Sequence, residues 1–223
     1  MIFLEKINYY LPELIQSLQE TCIMLGYSML ITLLVGLPLG IALFLSNPSI
    51  KALNINYYWS FNFLITFIRS FPYLLFVISL IPLTRMILGS AFGPYPSIIP
   101  LSIVGIAIFS RLVEQVLLDI PGDIKVLAES LGATTYKYIW NFILVESRSG
   151  IILAYTTTTV SMVSYSTVMG IVGGGGIGDF AIRYGYQSYE NEIMYFSIII
   201  IIISVFIIQM LGNFIARKID KRK

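Results

Sequence analysis

The chain contains no histidine, a single cysteine and few charges. Its 223 residues include 14 Lys and Arg against 12 Asp and Glu, and 12% are charged, where soluble domains average roughly 25%. Cys22 has no second cysteine for a disulfide, and without histidine the common zinc sites and nucleophile–imidazole pairs cannot be assembled. We therefore predict no metal site, no cofactor and no metal-dependent or histidine-based catalysis, and the net charge of +2 predicts no nucleic-acid partner.

Apolar residues dominate the chain instead. They make up 57% of it, and the mean hydropathy is +0.84. Uncharged runs cover residues 21–50, 86–110, 149–178 and 193–216, and each exceeds the roughly 20 residues that a helix needs to cross a bilayer. We predict an all-α integral membrane protein with a single domain over residues 1–223. Its five transmembrane helices are expected at about 20–45, 57–85, 96–118, 148–170 and 193–214, the second interrupted by Arg69 and Pro72.

The distribution of basic residues predicts the orientation. Cytoplasmic loops of membrane proteins carry an excess of Lys and Arg. With five spans, nine basic residues fall on the side of the C-terminus: Lys51, Lys125, Lys137, Arg148, Arg217, Lys218, Lys221, Arg222 and Lys223. Only Lys6, Arg85 and Arg183 fall clearly on the other side. The N-terminus is therefore expected outside and the C-terminus in the cytoplasm.

A polar segment at residues 121–146 separates the third predicted span from the fourth. Pro121 and Gly122 break the chain, and the stretch from Asp123 to about Trp140 has the apolar spacing of an amphipathic helix. Small residues within it would let the backbone of another protein come close. Two interpretations remain open: an interfacial helix that only connects two spans, or a cytoplasmic docking site.

The sequence A-E-S-L-G-A-T at residues 128–134, followed by Ile143 and Leu144, resembles the E-A-A loop of bacterial ABC-importer permeases. Val126 stands where that family has Glu, and Val145 where it has Pro, which puts a charged contact at the first position in doubt. The resemblance implies a coupling helix that a separate ATPase accepts. The residues implied in coupling are Ala128, Glu129, Ser130, Leu131, Gly132, Ala133 and Thr134.

The resemblance extends along nearly the whole chain. Residues 68–72 are similar to the R-S-x-P motif of amino-acid-type permeases, and residues 165–170, 173–178 and 183–187 look like the methionine-importer branch. This implies a non-catalytic permease of the bacterial inner membrane, importing methionine as the L isomer or as both isomers. The implied partners are an ATPase dimer, an extracytoplasmic substrate-binding protein, a second copy of the chain, membrane lipid and the small-molecule substrate.

Two alternatives to that function remain open. The first is an ABC permease for another amino acid or small solute. The second is a secondary transporter that works without ATP, which would need membrane-embedded acids for ion coupling. Glu114 is the candidate for such an acid, and it lies at a helix end.

The expected translocation path involves Arg69, Pro72, Thr158, Ser161, Met162 and Tyr165. A charge at the centre of a membrane helix costs about 2.5 to 3.5 kcal/mol on insertion scales, so Arg69 needs compensation. Pairing with Glu114 and contact with a substrate carboxylate both remain open. The hydroxyl-rich fourth span predicts a wet face, although hydroxyls can also bond back to their own helix.

A glycine cluster follows the fourth predicted span. It comprises Gly173, Gly174, Gly175, Gly176 and Gly178. The spacing includes G-x-G-x-x-G, but the cluster follows a membrane span and not a strand, so a dinucleotide site is not predicted. The cluster is either a flexible turn or a gate at the outer mouth that the binding protein contacts.

Overall fold

The computed structural model describes residues 3–48, 50 and 55–220, and the side chains of 6–48, 50 and 58–220. Every regular element in these ranges is a helix, so the predicted all-α class is confirmed. Four of the basic residues that predict the orientation lie outside the described residues: Lys51, Lys221, Arg222 and Lys223.

The helices follow one another in simple order. They are α1 (Phe3–Ser46), α2 (Ile55–Ser70), α3 (Tyr73–Leu88), α4 (Pro94–Leu118), α5 (Gly122–Ser130), α6 (Thr135–Lys137), α7 (Leu144–Ile171), α8 (Gly176–Phe180) and α9 (Asn191–Ile219). A π-helical segment, Tyr138–Ile143, joins α6 to α7, and a second one, Ala181–Gln187, extends α8.

Three helices are long and apolar enough to cross a membrane alone: α1, α4 and α9. Two further pairs pass the same test together but are bent, by 108° between α2 and α3 and by 48° between α7 and α8. The described residues therefore offer three to five crossings. The first helix begins at Phe3, well before the predicted boundary at residue 20.

The interruption that Arg69 and Pro72 predict within residues 57–85 is a sharp bend in the structure. The chain turns sharply between Ser70 and Tyr73. Pro72 lacks the N–H that a continuing helix would need, and its ring disfavours helical geometry at Phe71. The stretch from Ile55 to Leu88 consequently consists of two helices that meet at an elbow.

Close approach of small residues holds α1 against α4. A Cβ built on Gly40 would lie 2.6 Å from Cβ of Val113, and one on Gly105 would collide with the hydroxyl of Thr32. Membrane helices commonly pack in this way, because lipid offers little hydrophobic drive for their association. α9 lies at the margin of the bundle, with many of its apolar side chains exposed, as expected for a helix that faces lipid.

Candidate functional site

The predicted coupling segment, residues 121–146, contains two short helices and a turn between them. α5 ends in a Schellman turn: the Gly132 N–H donates to the Glu129 carbonyl and the Ala133 N–H to the Ala128 carbonyl, each at 3.0 Å. Gly132 adopts φ +66° there. The prediction of one helix from Asp123 to about Trp140 is therefore wrong, because this left-handed turn stops α5 at Ser130.

The second short helix of the segment has its own cap. The Lys137 N–H donates to Oγ1 of Thr134 at 3.4 Å, and the Tyr138 N–H donates to the Thr134 carbonyl at 2.8 Å. The predicted coupling residue Thr134 thus positions the chain after the turn.

The coupling segment presents an apolar surface without a cover from the described part of this chain. More than half of each of these side chains is exposed: Val126, Leu127, Leu131, Tyr136 and Trp140. Glu129 and Ser130 are exposed beside them, whereas Ala128 is buried. We call these five apolar side chains the coupling surface. Contiguous exposed apolar residues outside a lipid-facing span typically mark a protein interface.

A recess of about 350 Å³ opens at the elbow between α2 and α3. Arg69 lines it from α2, Tyr73 from α3, and Ser161 and Tyr165 from α7. The rings of Tyr73 and Tyr165 lie 4.5 Å apart between centroids. The structure thus brings three of the predicted path residues together around a space of amino-acid size.

The other predicted path residues do not line this recess. Thr158 and Met162 are fully buried; the Thr158 hydroxyl donates back to the Ala154 carbonyl at 2.8 Å, and Met162 packs in a core cluster with Met24 and Leu101. Pro72 shapes the elbow as the residue before α3. Sequence reasoning missed Tyr73, whose position directly after Pro72 is the signal that could have found it.

The proposed pairing of Arg69 with Glu114 is wrong. Glu114 is almost fully buried, and its carboxylate accepts hydrogen bonds from Arg111 at 2.5 Å and from Nδ2 of Asn47 at 3.2 Å. Because Arg111 lies one turn from Glu114 on α4, the acid is satisfied locally. Among the described residues, no ion pair involves Arg69.

The glycine cluster is packed and capped. The carboxylate of Glu20 accepts from the Gly176 N–H at 2.8 Å, and Oγ1 of Thr21 accepts from the Ile177 N–H at 2.9 Å. These contacts satisfy the free N–H groups at the start of α8 from the side of α1. Sequence reasoning missed both capping residues, since nothing in their spacing points to a helix more than 150 residues away.

Added side chains would not fit at several of these glycines. A Cβ on Gly174 would lie 2.6 Å from Oγ of Ser97, one on Gly175 2.5 Å from the Glu20 carboxylate, and one on Gly176 2.7 Å from Cε of Met24. One on Gly178 would collide with the backbone of Thr167. Gly173 has more room, with a Phe92 ring carbon at 3.0 Å. The cluster is therefore closely packed, and the flexible turn and the gate both remain predictions.

A polar recess of about 280 Å³ lies next to the glycine cluster. Its walls include Glu13, Glu20 and the ion pair of Asp179 with Arg183, which are 2.7 Å apart. Gly173 and Gly175 contribute backbone to the same walls. This end of the bundle is polar and accessible, in contrast to the elbow recess deeper in the bundle.

The described residues combine helices and bent helix pairs apolar enough to cross a membrane with an exposed coupling surface. The family model described as binding-protein-dependent transport system inner membrane component matches residues 36–223. The chain belongs to this family. The permease is thus a multi-pass protein of the bacterial inner membrane, and the predicted family and localisation are confirmed.

Known relatives match the permease over nearly its whole length. The probable D-methionine transport system permease protein MetI of Vibrio cholerae is 34% identical over 209 residues, which are 94% of this chain and 93% of that protein. The protein of the same name from Haemophilus influenzae is 36% identical over 203 residues, 91% and 95% of the two chains.

A solved structure matches the permease equally well. One chain of the inward-facing MetNI methionine ABC transporter superposes with a TM-score of 0.92 at 30% identity, covering 95% of this chain and 98% of that one. The predicted fold of an ABC-importer permease is thus confirmed at the level of the whole chain.

Proposed function

We propose that this permease forms the translocation path for methionine in an ATP-driven importer. The observation that carries the proposal is the likeness to the MetNI permease chain, which runs through 95% of this chain at a TM-score of 0.92. Relatives named D-methionine permeases, 34% and 36% identical, support the same substrate class. The elbow recess has the volume and the cation that an amino acid would need.

We further propose five crossings, with α2–α3 as one broken span and the whole of residues 1–223 as one domain. Asp220, at the end of α9, lines the same cleft as Asp119 and Glu146, which supports a C-terminus on the side of the coupling segment. At the other end, Lys6 pairs with Glu190 at 2.7 Å and Glu192 at 3.3 Å. The orientation with the coupling segment in the cytoplasm follows the bias of basic residues.

The coupling surface is proposed to dock on a cytoplasmic ATPase subunit. A dimer of that subunit would work on two copies of the permease, and an extracytoplasmic binding protein would deliver substrate at the polar recess beside the glycine cluster. The glycine cluster is then the gate at that mouth. ATP binding by that subunit would shift the permease between two conformations of similar energy. Since the ATPase subunit hydrolyses the ATP, the permease would need no catalytic residue of its own.

Reconstitution tests the transport proposal. The permease, its ATPase subunit and its binding protein are placed in proteoliposomes, and ATP-dependent uptake of labelled L- and D-methionine is measured. We expect uptake against a gradient that stops without ATP and that unlabelled methionine competes away. Competition by another amino acid alone would favour a different solute, and uphill uptake by the permease without the ATPase would favour a secondary transporter.

A pair of variants tests the docking proposal. Leu131→Asp places a charge in the coupling surface, and we expect the permease to insert normally but to lose its ATPase subunit on purification, since a desolvated unpaired charge is costly. Tyr189→Asp is the matched control, because Tyr189 is more exposed still and lies at the other end of the bundle. If both variants retain the ATPase subunit, the coupling surface is not the docking site.

A further inference from the structure

The elbow between α2 and α3 leaves backbone donors without acceptors inside the membrane region. The first hydrogen bond within α3 runs from the Phe76 N–H to the Pro72 carbonyl at 3.0 Å. The N–H groups of the three preceding residues have no acceptor in the helix, and no side chain of the described residues caps them. The positive end of the α3 dipole is therefore exposed at the elbow.

The elbow lies near the middle of the bundle's height. Its recess is also lined by Val104 and Ile108, which are close to the midpoint of α4. On α7, Ser161 and Tyr165 lie more than fifteen residues from the start of the helix at Leu144. Arg69 is thus a charge in the low-dielectric part of the protein, where unpaired charges are rare and usually functional.

The recess is electrostatically suited to an anion. Among the described residues that line it, Arg69 is the one cation, and none is Asp or Glu. The guanidinium is exposed to the recess and has no ion pair within the described part of the chain. The carboxylate of Glu114, on the neighbouring helix α4, already accepts hydrogen bonds from Arg111 and Asn47. No acid in the described ranges of the single chain neutralises Arg69.

We infer that Arg69 and the N-terminus of α3 form a transit site for the carboxylate of the transported amino acid. The inference rests on the proposed function and adds the contact that holds the substrate inside the membrane. An Arg fork binds a carboxylate through two parallel hydrogen bonds, and the open N–H groups of α3 add donors. The carboxylate in turn compensates the unpaired charge of Arg69 during passage.

The walls of the recess fit the rest of the substrate. Four aromatic residues contribute to these walls: Phe71, Tyr73, Phe76 and Tyr165. Thioether sulfur makes favourable contacts with aromatic rings, so the methionine side chain would lie against these residues while its carboxylate faces Arg69. A substrate without a carboxylate would lose the polar half of this recognition.

Protection of a thiol inside the recess tests the inference. Ser161→Cys is made in a Cys22→Ser background, and its alkylation by N-ethylmaleimide is followed in the detergent-solubilised complex with the ATPase subunit. We expect free L-methionine to slow alkylation and L-methioninol, which lacks the carboxylate, not to do so. Ser188→Cys, at an exposed position, is the control for general effects of the ligand on reactivity.

Variants at the cation complete the test. With Arg69→Gln, the methionine concentration for half-protection should rise by about tenfold or more, because a charge-assisted contact is lost. Arg69→Lys should retain part of the protection. Arg85→Gln removes an exposed arginine from the last turn of α3, outside the recess, and should leave protection unchanged.

The outcomes separate the two proposals. If wild-type protein takes up methionine in proteoliposomes but methionine and methioninol protect the Ser161→Cys thiol equally, or Arg69→Gln leaves that protection at its full level, the transit site is refuted and the importer stands. If wild-type protein takes up no methionine at all, the proposed function itself fails. An Arg69→Gln protein that loses its ATPase subunit on purification would show that Arg69 supports assembly, against this inference.

Discussion

Two glycines, Gly132 just after α5 and Gly178 within α8, are required for opposite reasons. Gly132 has φ +66° and open space around it, with nothing within 4 Å of an added Cβ. Gly178 has no left-handed backbone, but its Cβ would collide with the backbone of Thr167. The first position needs the conformational freedom of glycine, and the second needs its lack of a side chain.

The contrast reflects the surroundings of the two regions. The glycine cluster is closed by this chain, through caps from α1 and contacts with α4 and α7. The coupling segment is open, and its apolar side chains have no cover from the described residues of the single chain. The stability of the closed glycine cluster should therefore depend on side-chain volume. The function of the open coupling segment should depend on its backbone conformation and on the partner that covers it.

The largest effect is expected from Gly178→Ala. Its new methyl group would meet backbone atoms that cannot rotate away, and overpacking of this kind costs about 3 kcal/mol at the upper end of its range. We expect a clear fall in the melting temperature of the purified permease–ATPase complex, read by size-exclusion chromatography after heating, together with lost uptake.

Gly26→Ala is the matched control for that change. Gly26 lies within α1 and has nothing within 4 Å of an added Cβ. Alanine favours a helix over glycine by roughly 0.5–1 kcal/mol, so this variant should be neutral or slightly more stable. If Gly178→Ala were as stable as Gly26→Ala, the backbone of the glycine cluster would have to move aside for the new methyl group. A mobile gate would allow that movement.

Sequence patterns predicted the elements of this protein better than their contacts. Runs without charge located α1, α4, α7 and α9, since membrane length and apolar composition are local properties. Arg69 and Pro72 marked the interruption of the second span, but the size of its bend depends on the helices packed around it. The count of crossings remains a prediction, because bent pairs can be read as one span or as two.

The candidate site was predicted in outline only. Arg69, Ser161 and Tyr165 do meet at one recess, whereas Thr158 and Met162 are buried. The hydroxyl-rich pattern of α7 could not separate Ser161 from Thr158, because both hydroxyls donate back to their own helix. The difference between them is set by the helices that pack around α7. Partners distant in the chain, such as Glu20 for α8, have no local signal at all.

An intermediate effect is expected from Glu20→Ala. This change leaves the Gly176 N–H without its acceptor, and loss of a helix cap costs about 1–2 kcal/mol. Glu20→Gln keeps an oxygen acceptor and should retain most of the stability, which separates the hydrogen bond from the charge. Gln19→Ala, one exposed residue earlier, should leave melting unchanged. A Glu20→Ala protein as stable as Gln19→Ala would show that the cap is dispensable.

The smallest effect on stability is expected from Gly132→Ala. The left-handed backbone costs about 1 kcal/mol for a residue with a Cβ, and no clash with a neighbouring atom would add to that cost. Gly122→Ala, at the other end of α5 and equally free of neighbours but without positive φ, is its control and should be neutral.

The two variants should differ more in ATPase retention than in melting temperature, because a disturbed Schellman turn displaces Leu131 from the coupling surface while leaving the membrane bundle intact. If Gly132→Ala keeps both its stability and its ATPase subunit, the turn geometry does not set the docking surface, and small side-chain volume alone would explain the motif.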